Sequence, residues 1–176
     1  MSEVPASIRT MRTWVKWLLG IGAVLAVGKV LGDFFMANRK VYVSFDYEND
    51  RHYKLMLQAW SANRQFDFSF NDASSGEIQT NDISRIKAGL TKKIRDSEVL
   101  LVLIGKEANK HHRDWMQIGF RNWINFEIAQ ARAAGKKLVA VKIDRNFESP
   151  EQIDGAGAAW AMSFSDEAVT KALRSA

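Results

Sequence analysis

The chain has no cysteine. That removes disulfides, thiolate metal sites and cysteine nucleophiles, and leaves no sign of an oxidising compartment. Proline occurs only twice and no stretch is low in complexity, so disorder is not the default. No Gly-x-Gly-x-x-Gly and no Walker loop follows any predicted strand, which argues against a dinucleotide-binding Rossmann domain and against a P-loop NTPase. Histidine is scarce. His111 and His112 are adjacent, two neighbouring imidazoles do not easily face one ion, and no carboxylate recurs at ligand spacing, so no metal is expected. Acidic residues are outnumbered, 20 against 25 Lys and Arg, for a net charge of +5. The basic residues are spread over 9–16, 87–95, 106–113 and 136–137. This balance suits anionic partners such as nucleotides or acidic lipid. Without a dense basic stripe interleaved with aromatics it does not point to nucleic acid.

What the first residues do contain is an uncharged run. From Trp17 to Gly28 the chain reads WLLGIGAVLAVG, twelve residues, and Val30, Leu31, Phe34, Phe35 and Met36 extend it. A helix from Trp14 to Met36, rising about 1.5 Å per residue, spans a bilayer core of about 30 Å. Lys16 can snorkel at one end, and Trp14 and Trp17 sit where interfacial aromatics belong. Lys29 and Asp33 stand against a clean span, since each is costly at mid-bilayer. A cleaved signal peptide shares the leading charges but lacks a convincing small-x-small cleavage site. An in-plane helix and a helix buried in an oligomer remain as further readings. Gly28-x-x-x-Gly32 and Gly22-x-x-x-Ala26 permit close helix approach. The division expected is a basic flank and membrane-anchor helix over 1–38, followed by one domain over 39–176. Flanking charges do not fix the orientation.

After Lys40 the hydrophobic period changes. Lys40 to Phe45 is short and rich in β-branched and aromatic residues, a first strand. Tyr53, Leu55, Met56, Ala59 and Trp60 recur at helical spacing within 50–62, with Asp50 placed to cap that helix. Phe66 to Phe70 alternates like a strand with one wetter face, and the polar stretch 71–81 reads as a loop. Ile83, Ile86, Leu90 and Ile94 make the stripe of a second helix, capped by Asp82 or Ser84. Val99 to Ile104 is continuously apolar, as in a central strand covered on both faces. A helix through Trp123 and Glu127 stops at Gly135, and 137–143 is a further strand. A short edge strand over 158–164 and a helix over 166–173 complete the chain. Strands alternating with helices imply an α/β fold, a doubly wound parallel sheet of flavodoxin-like type with its ligand site beyond the strand carboxyl ends.

Trp123 and Glu127 are four residues apart, so they share one helix face. An indole beside a carboxylate near the carboxyl edge of a parallel sheet is suited to holding a planar heterocycle while a glycosidic bond to it breaks. The plainer alternative is a surface helix with one core Trp and one solvated Glu.

The segment VYVSFDYENDR from Val41 to Arg51, then VLIG ending at Gly105, then Trp123-x-x-x-Glu127-Ile128, then GKKLVAVKI from Gly135 to Ile143, resembles Toll/interleukin-1 receptor (TIR) domains. It is closer still to the TIR-like branch typified by the ThsB proteins of bacterial Thoeris anti-phage defence. The resemblance covers about residues 40–165. It departs at Lys106 to Arg121, which is longer than usual and reshapes the pocket mouth, and the N-terminal apolar helix is no part of a TIR core.

The resemblance implies a flavodoxin-like, TIR-like fold and a domain that takes NAD as substrate, with no separate cofactor. Catalytic members cleave the nicotinamide–ribose bond, and some release a cyclic or modified ADP-ribose signal to a downstream effector protein. Carried onto this chain, the catalytic glutamate is Glu127. Trp123 and Phe45 are placed to wall the heterocycle, Ser44, Asp46 and Tyr47 to supply hydrogen bonds, and Asp72 to contribute from the loop after the second strand. In catalytic TIR proteins the packing of neighbouring domains commonly orders that loop, which implies self-association. The expectation is a membrane-anchored enzyme with its TIR-like domain in the cytoplasm. Two other functions stay open: a non-catalytic TIR-like assembly module at the membrane, and a nucleoside deoxyribosyltransferase-like enzyme, against which the apolar helix argues.

Overall fold

A computed structural model describes residues 39–63, 71–72 and 80–176. The expected anchor over Trp14 to Met36 lies outside the described residues. Among the described residues no helix is long and apolar enough to cross a membrane.

Strand β1 (Lys40–Ser44) leads to helix α1 (Arg51–Ala62), then to a two-residue strand β2 (Asn71–Asp72). Helix α2 (Ile83–Arg95), strand β3 (Val99–Ile104), the one-turn helix α3 (Trp115–Ile118) and helix α4 (Trp123–Ala133) follow. Strand β4 (Lys137–Lys142), a 3-10 turn (Glu151–Ile153), strand β5 (Ala159–Ala161) and helix α5 (Asp166–Ser175) complete the chain. The five strands form one sheet in the order β2-β1-β3-β4-β5, and every pairing is parallel. This is the doubly wound α/β arrangement expected.

The continuous apolar run of β3 has its physical counterpart: all six residues are buried, because both sheet faces are covered. One face packs Val41, Val43, Leu101, Leu103, Val139 and Val141 against Leu57 of α1 and Val169 and Leu173 of α5. The other packs Tyr42, Leu100, Val102, Leu138 and Ala140 against Ile94 of α2 and Ile124, Ile128 and Ala131 of α4. The chain crosses from β1 to β2 on one side and then returns from β2, past β1, to β3 on the other. The resulting switch point opens a crevice above the carboxyl ends of β1 and β3.

Helix ends are set locally. The Asp82 carboxylate accepts from the backbone N–H of Ser84 and Arg85 at 2.8 and 3.2 Å, and Asn122 Oδ1 accepts from Asn125 N–H at 3.0 Å. Helix α4 stops where Gly135 adopts φ +63°. The Lys136 N–H returns to Ala131 C=O at 2.9 Å and the Gly135 N–H to Arg132 C=O at 3.0 Å, the Schellman pattern that glycine permits. The Arg39 guanidinium ties the start of β1 to the end of α5 through Leu173 C=O at 2.7 Å.

Two expectations need correction, and one element had no signal. Asn71 and Asp72 pair with Lys40 and Val41 as β2, inside the stretch read as a loop; the expected strand at Phe66 to Phe70 lies outside the described residues. An edge strand is held by ladder pairing on one side and does not require an apolar sequence. Helix α3 had no periodic signal because one turn is too short to show one. Asp50 occupies the N-cap position of α1, but its side chain makes no cap hydrogen bond.

Candidate active site

Alternation along β1 sends Tyr42 and Ser44 to the same sheet face, the one that α4 covers. Glu127, in the second turn of α4, meets them there. The Tyr42 hydroxyl donates to Glu127 Oε1 at 2.6 Å and the Ser44 hydroxyl to Oε2 at 2.5 Å. All three residues are buried, Glu127 with 7% of its surface exposed. Burial pushes the Glu127 carboxyl up to about 7, against the pull of the Ser44 and Tyr42 hydroxyls and the Lys93 charge, which favour the ionised form. Tyr42 is raised well above its ordinary value, chiefly by burial and then by Glu127, so it remains a neutral donor. Lys93, on the last turn of α2, is lowered by burial and by Lys54, while Asp72 and Glu127 oppose that shift.

Glu127 and Tyr42 look into a cavity of about 1080 Å³ that also reaches Phe45, Tyr47 and Trp123. The volume is at the upper end of the ~300–1,000 Å³ usual for small-molecule sites. Cations are distributed round it: Arg51 and Lys54 from α1, Lys93 from α2, Lys110 and Arg113 from the segment after β3. Two of them already lie over aromatic rings, Arg51 at 5.2 Å from the Tyr47 centroid and Lys54 at 5.5 Å from that of Phe45.

Of the residues singled out from sequence, Glu127, Phe45, Asp46, Tyr47 and Trp123 border this one cavity. Trp123 and Glu127 do share the helix face that their spacing requires. Trp123 is half-buried, edge-on to His112 and Phe126 at centroid distances of 6.2 and 5.8 Å. Ser44 is fully buried and its hydroxyl is engaged by Glu127. The Asp46 carboxylate turns back on its own loop, accepting from the N–H groups of Glu48 and Asn49 and from the Asn49 amide. Asp72 stands one step behind the wall. It accepts from Gln58 Nε2 at 2.7 Å and pairs with Lys54 at 3.4 Å, and both of those residues face the cavity.

The segment from Lys106 to Arg121 does shape the mouth, contributing Glu107, Lys110, His111, His112 and Arg113. Its placement comes from buried asparagines. Asn122 Nδ2 donates to Ala108 and Lys110 carbonyls at 3.0 and 2.9 Å, and Asn125 Nδ2 reaches Asn109 Oδ1 at 3.3 Å. The Gln152 N–H donates to Asn125 Oδ1 at 3.0 Å, bringing the 3-10 turn into the same network. His112 Nδ1 accepts from the Asp114 N–H at 3.1 Å, and His111 packs edge-on against Trp115 at 5.6 Å. Among the described residues no group of three or more His, Asp or Glu side chains gathers as a metal site would.

The family model of the Thoeris protein ThsB, TIR-like domain, matches residues 42–147, from Tyr42 through Glu127 to the turn after β4. The chain belongs to this family. It is therefore a TIR-like domain of the Thoeris anti-phage defence type. No curated protein matches the chain. Two residues of the TIR-like site were not singled out from sequence. Tyr42 had a usable signal, since it lies two residues before Ser44 and so shares its face. Lys93 had only a weak one: it follows Ile86 by seven and Leu90 by three, so it lies on their face of α2, but the neighbouring Lys92 and Arg95 obscure which cation turns inward.

Proposed function

We propose that this TIR-like domain is an NAD-consuming enzyme that cleaves the nicotinamide–ribose bond. The observation that carries the reading is Glu127, a buried carboxylate held by two hydroxyls at the floor of a cavity with aromatic walls and a cationic mouth. The residues present suit the substrate. A dinucleotide brings a planar pyridinium, for which Trp123 and Phe45 offer faces, and a diphosphate, for which Arg51, Lys54 and Lys110 offer charge.

In the proposed step the C1′–N bond breaks and its electron pair leaves with neutral nicotinamide. Positive charge develops on the ribose C1′ and ring oxygen. A carboxylate stabilises that charge as in glycoside cleavage, and preorganised charge of this kind is commonly the largest catalytic contribution. Capture of C1′ by water gives ADP-ribose; capture by a nucleophile of the same molecule gives a cyclic product, suited to a signal read by an effector protein. Residues 14–36 are proposed to anchor the enzyme at a membrane, with the TIR-like domain in the cytoplasm.

Incubation of the full chain with NAD, reading nicotinamide and product mass, tests this against Glu127→Gln. That variant keeps shape and removes charge, and a loss of turnover of about 100-fold or more is expected. Nicotinamide release at the wild-type rate by folded Glu127→Gln would remove Glu127 from the chemistry. No release by any form would favour the non-catalytic assembly module.

A further inference from the structure

We infer that Tyr42 is a positioning residue, whose hydroxyl acts with that of Ser44 to hold Glu127 as a charged carboxylate in one orientation at the cavity floor. Its consequence for turnover rests on the NAD-cleavage reading, while the geometry does not.

Each Glu127 oxygen accepts from a different hydroxyl, both delivered by one strand at 2.6 and 2.5 Å. A carboxylate with one donor on each oxygen cannot rotate about its terminal torsion without giving up both bonds. The two lone pairs left over are free to meet a substrate, which is the geometry needed to face a developing cation. Tyr42 is 4% exposed and otherwise surrounded by the aliphatic cluster of Leu100, Val102, Ile124 and Ile128. A phenylalanine would fill that space equally well, so the hydroxyl is the part of the side chain that needs a reason. Among the described residues its hydrogen bond is the one to Glu127.

Charge balance points the same way. From β3 and α4 the walls around Glu127 are apolar, which favours the protonated acid. From β1 come only the Tyr42 and Ser44 hydroxyls, and from α2 the Lys93 ammonium; Lys54 of α1 acts on Lys93, and Asp72 of β2 acts on both Lys93 and Tyr42. Hydrogen bonds to an ionised acceptor are roughly twice as strong as neutral ones, so both hydroxyls stabilise the charged form over the neutral one. Burial outweighs these donors and already holds the carboxyl at about 7, so losing one donor strengthens its grip on the proton further.

The test is the pH dependence of nicotinamide release by the full chain in detergent, from about pH 5 to about pH 9, for wild type, Tyr42→Phe and Ser44→Ala. Turnover needs the charged carboxylate, so it rises with pH. The midpoint is expected to move upward by about one pH unit in each variant, the equivalent of one charge-assisted bond. A purely structural role would lower the whole profile without displacing it.

A second readout needs no turnover. The infrared carbonyl band of protonated Glu127, assigned by difference against Glu127→Gln, is titrated in the same proteins and should show the same upward displacement. Infrared midpoints that move in a protein without NAD turnover would uphold the role of Tyr42 and discard the NAD reading. Midpoints of Tyr42→Phe and Ser44→Ala that coincide with wild type would overturn the inference.

Discussion

Glu127 and Asp50 are both carboxylates whose protons the fold retains to higher pH than usual. Burial raises Glu127 from 4.5 to about 7; Asp50, raised from 3.8 to about 6, owes this first to burial and then to Asp46, with His52 opposing. The folded state therefore binds more protons than the unfolded chain between roughly pH 4 and pH 7. The stability contributed by each protonated group is complete below the unfolded value and is lost as pH rises through the folded one. Wild type minus Glu127→Gln, compared by urea unfolding at about pH 5 and about pH 8, should fall by a few kcal/mol as pH rises. A difference independent of pH would mean that Glu127 is not buried as described. Activity and stability thus pull in opposite directions, because the charged form serves the chemistry and the neutral form serves the fold. At this scale part of the site was legible: the spacing of Trp123 and Glu127 put both on one face, while Tyr42, which the strand period sets beside Ser44, was not singled out. Which partner each hydroxyl chose was not legible, since that depends on α4 crossing β1, a contact between residues 83 and 85 positions apart.

Among the secondary elements, the crevice between β1 and β3 is held by a contact that sequence does not display. A Cβ on Gly105, just past β3, would lie 2.0 Å from Asp50 Oδ2 and 2.4 Å from its Cγ. Asp50 is buried, and among the described residues its Oδ2 has no hydrogen-bond partner. The carboxyl group thus rests on a glycine because nothing larger fits. Gly105→Ala should destabilise by about 1–3 kcal/mol through overpacking and displace the β1–α1 loop that carries Phe45 and Tyr47. Asp50→Ala clears the space, so the double variant should be more stable than the sum of the two single losses, with a coupling of about 0.5–3 kcal/mol in a denaturant double-mutant cycle. Additive losses would show that the two residues do not meet. Elements with a strong period were readable: the α2 stripe and its Asp82 cap, the buried run of β3, and the stop of α4 at Gly135. Those without one were not. The segment from Lys106 to Arg121 owes its path to the side-chain amides of Asn122 and Asn125, which look like ordinary polar positions until α4 buries them.

At the scale of the whole molecule, the TIR-like domain occupies one compact sheet-and-helix unit, and the apolar run from Trp17 to Gly28 precedes it in the chain. An anchor changes the chemistry of assembly without adding a contact, since tethering converts association in solution into association at a high effective concentration. The domain has surface that could serve it: Trp115 is 42% and Met116 77% exposed on the segment whose His111 and His112 line the cavity, and this face is proposed as the contact between neighbouring copies. If the proposed anchor over 14–36 holds, full-length protein should stay in the membrane pellet after carbonate extraction. Reconstituted into vesicles at constant total protein, it should also release more nicotinamide per molecule as the protein-to-lipid ratio rises. Met116→Asp places a charge in the proposed contact and should flatten that density dependence while leaving the dilute rate little changed, because Met116 does not border the cavity. Turnover per molecule that stays level from sparse to crowded vesicles would leave residues 14–36 as an address and would make the isolated domain the complete enzyme.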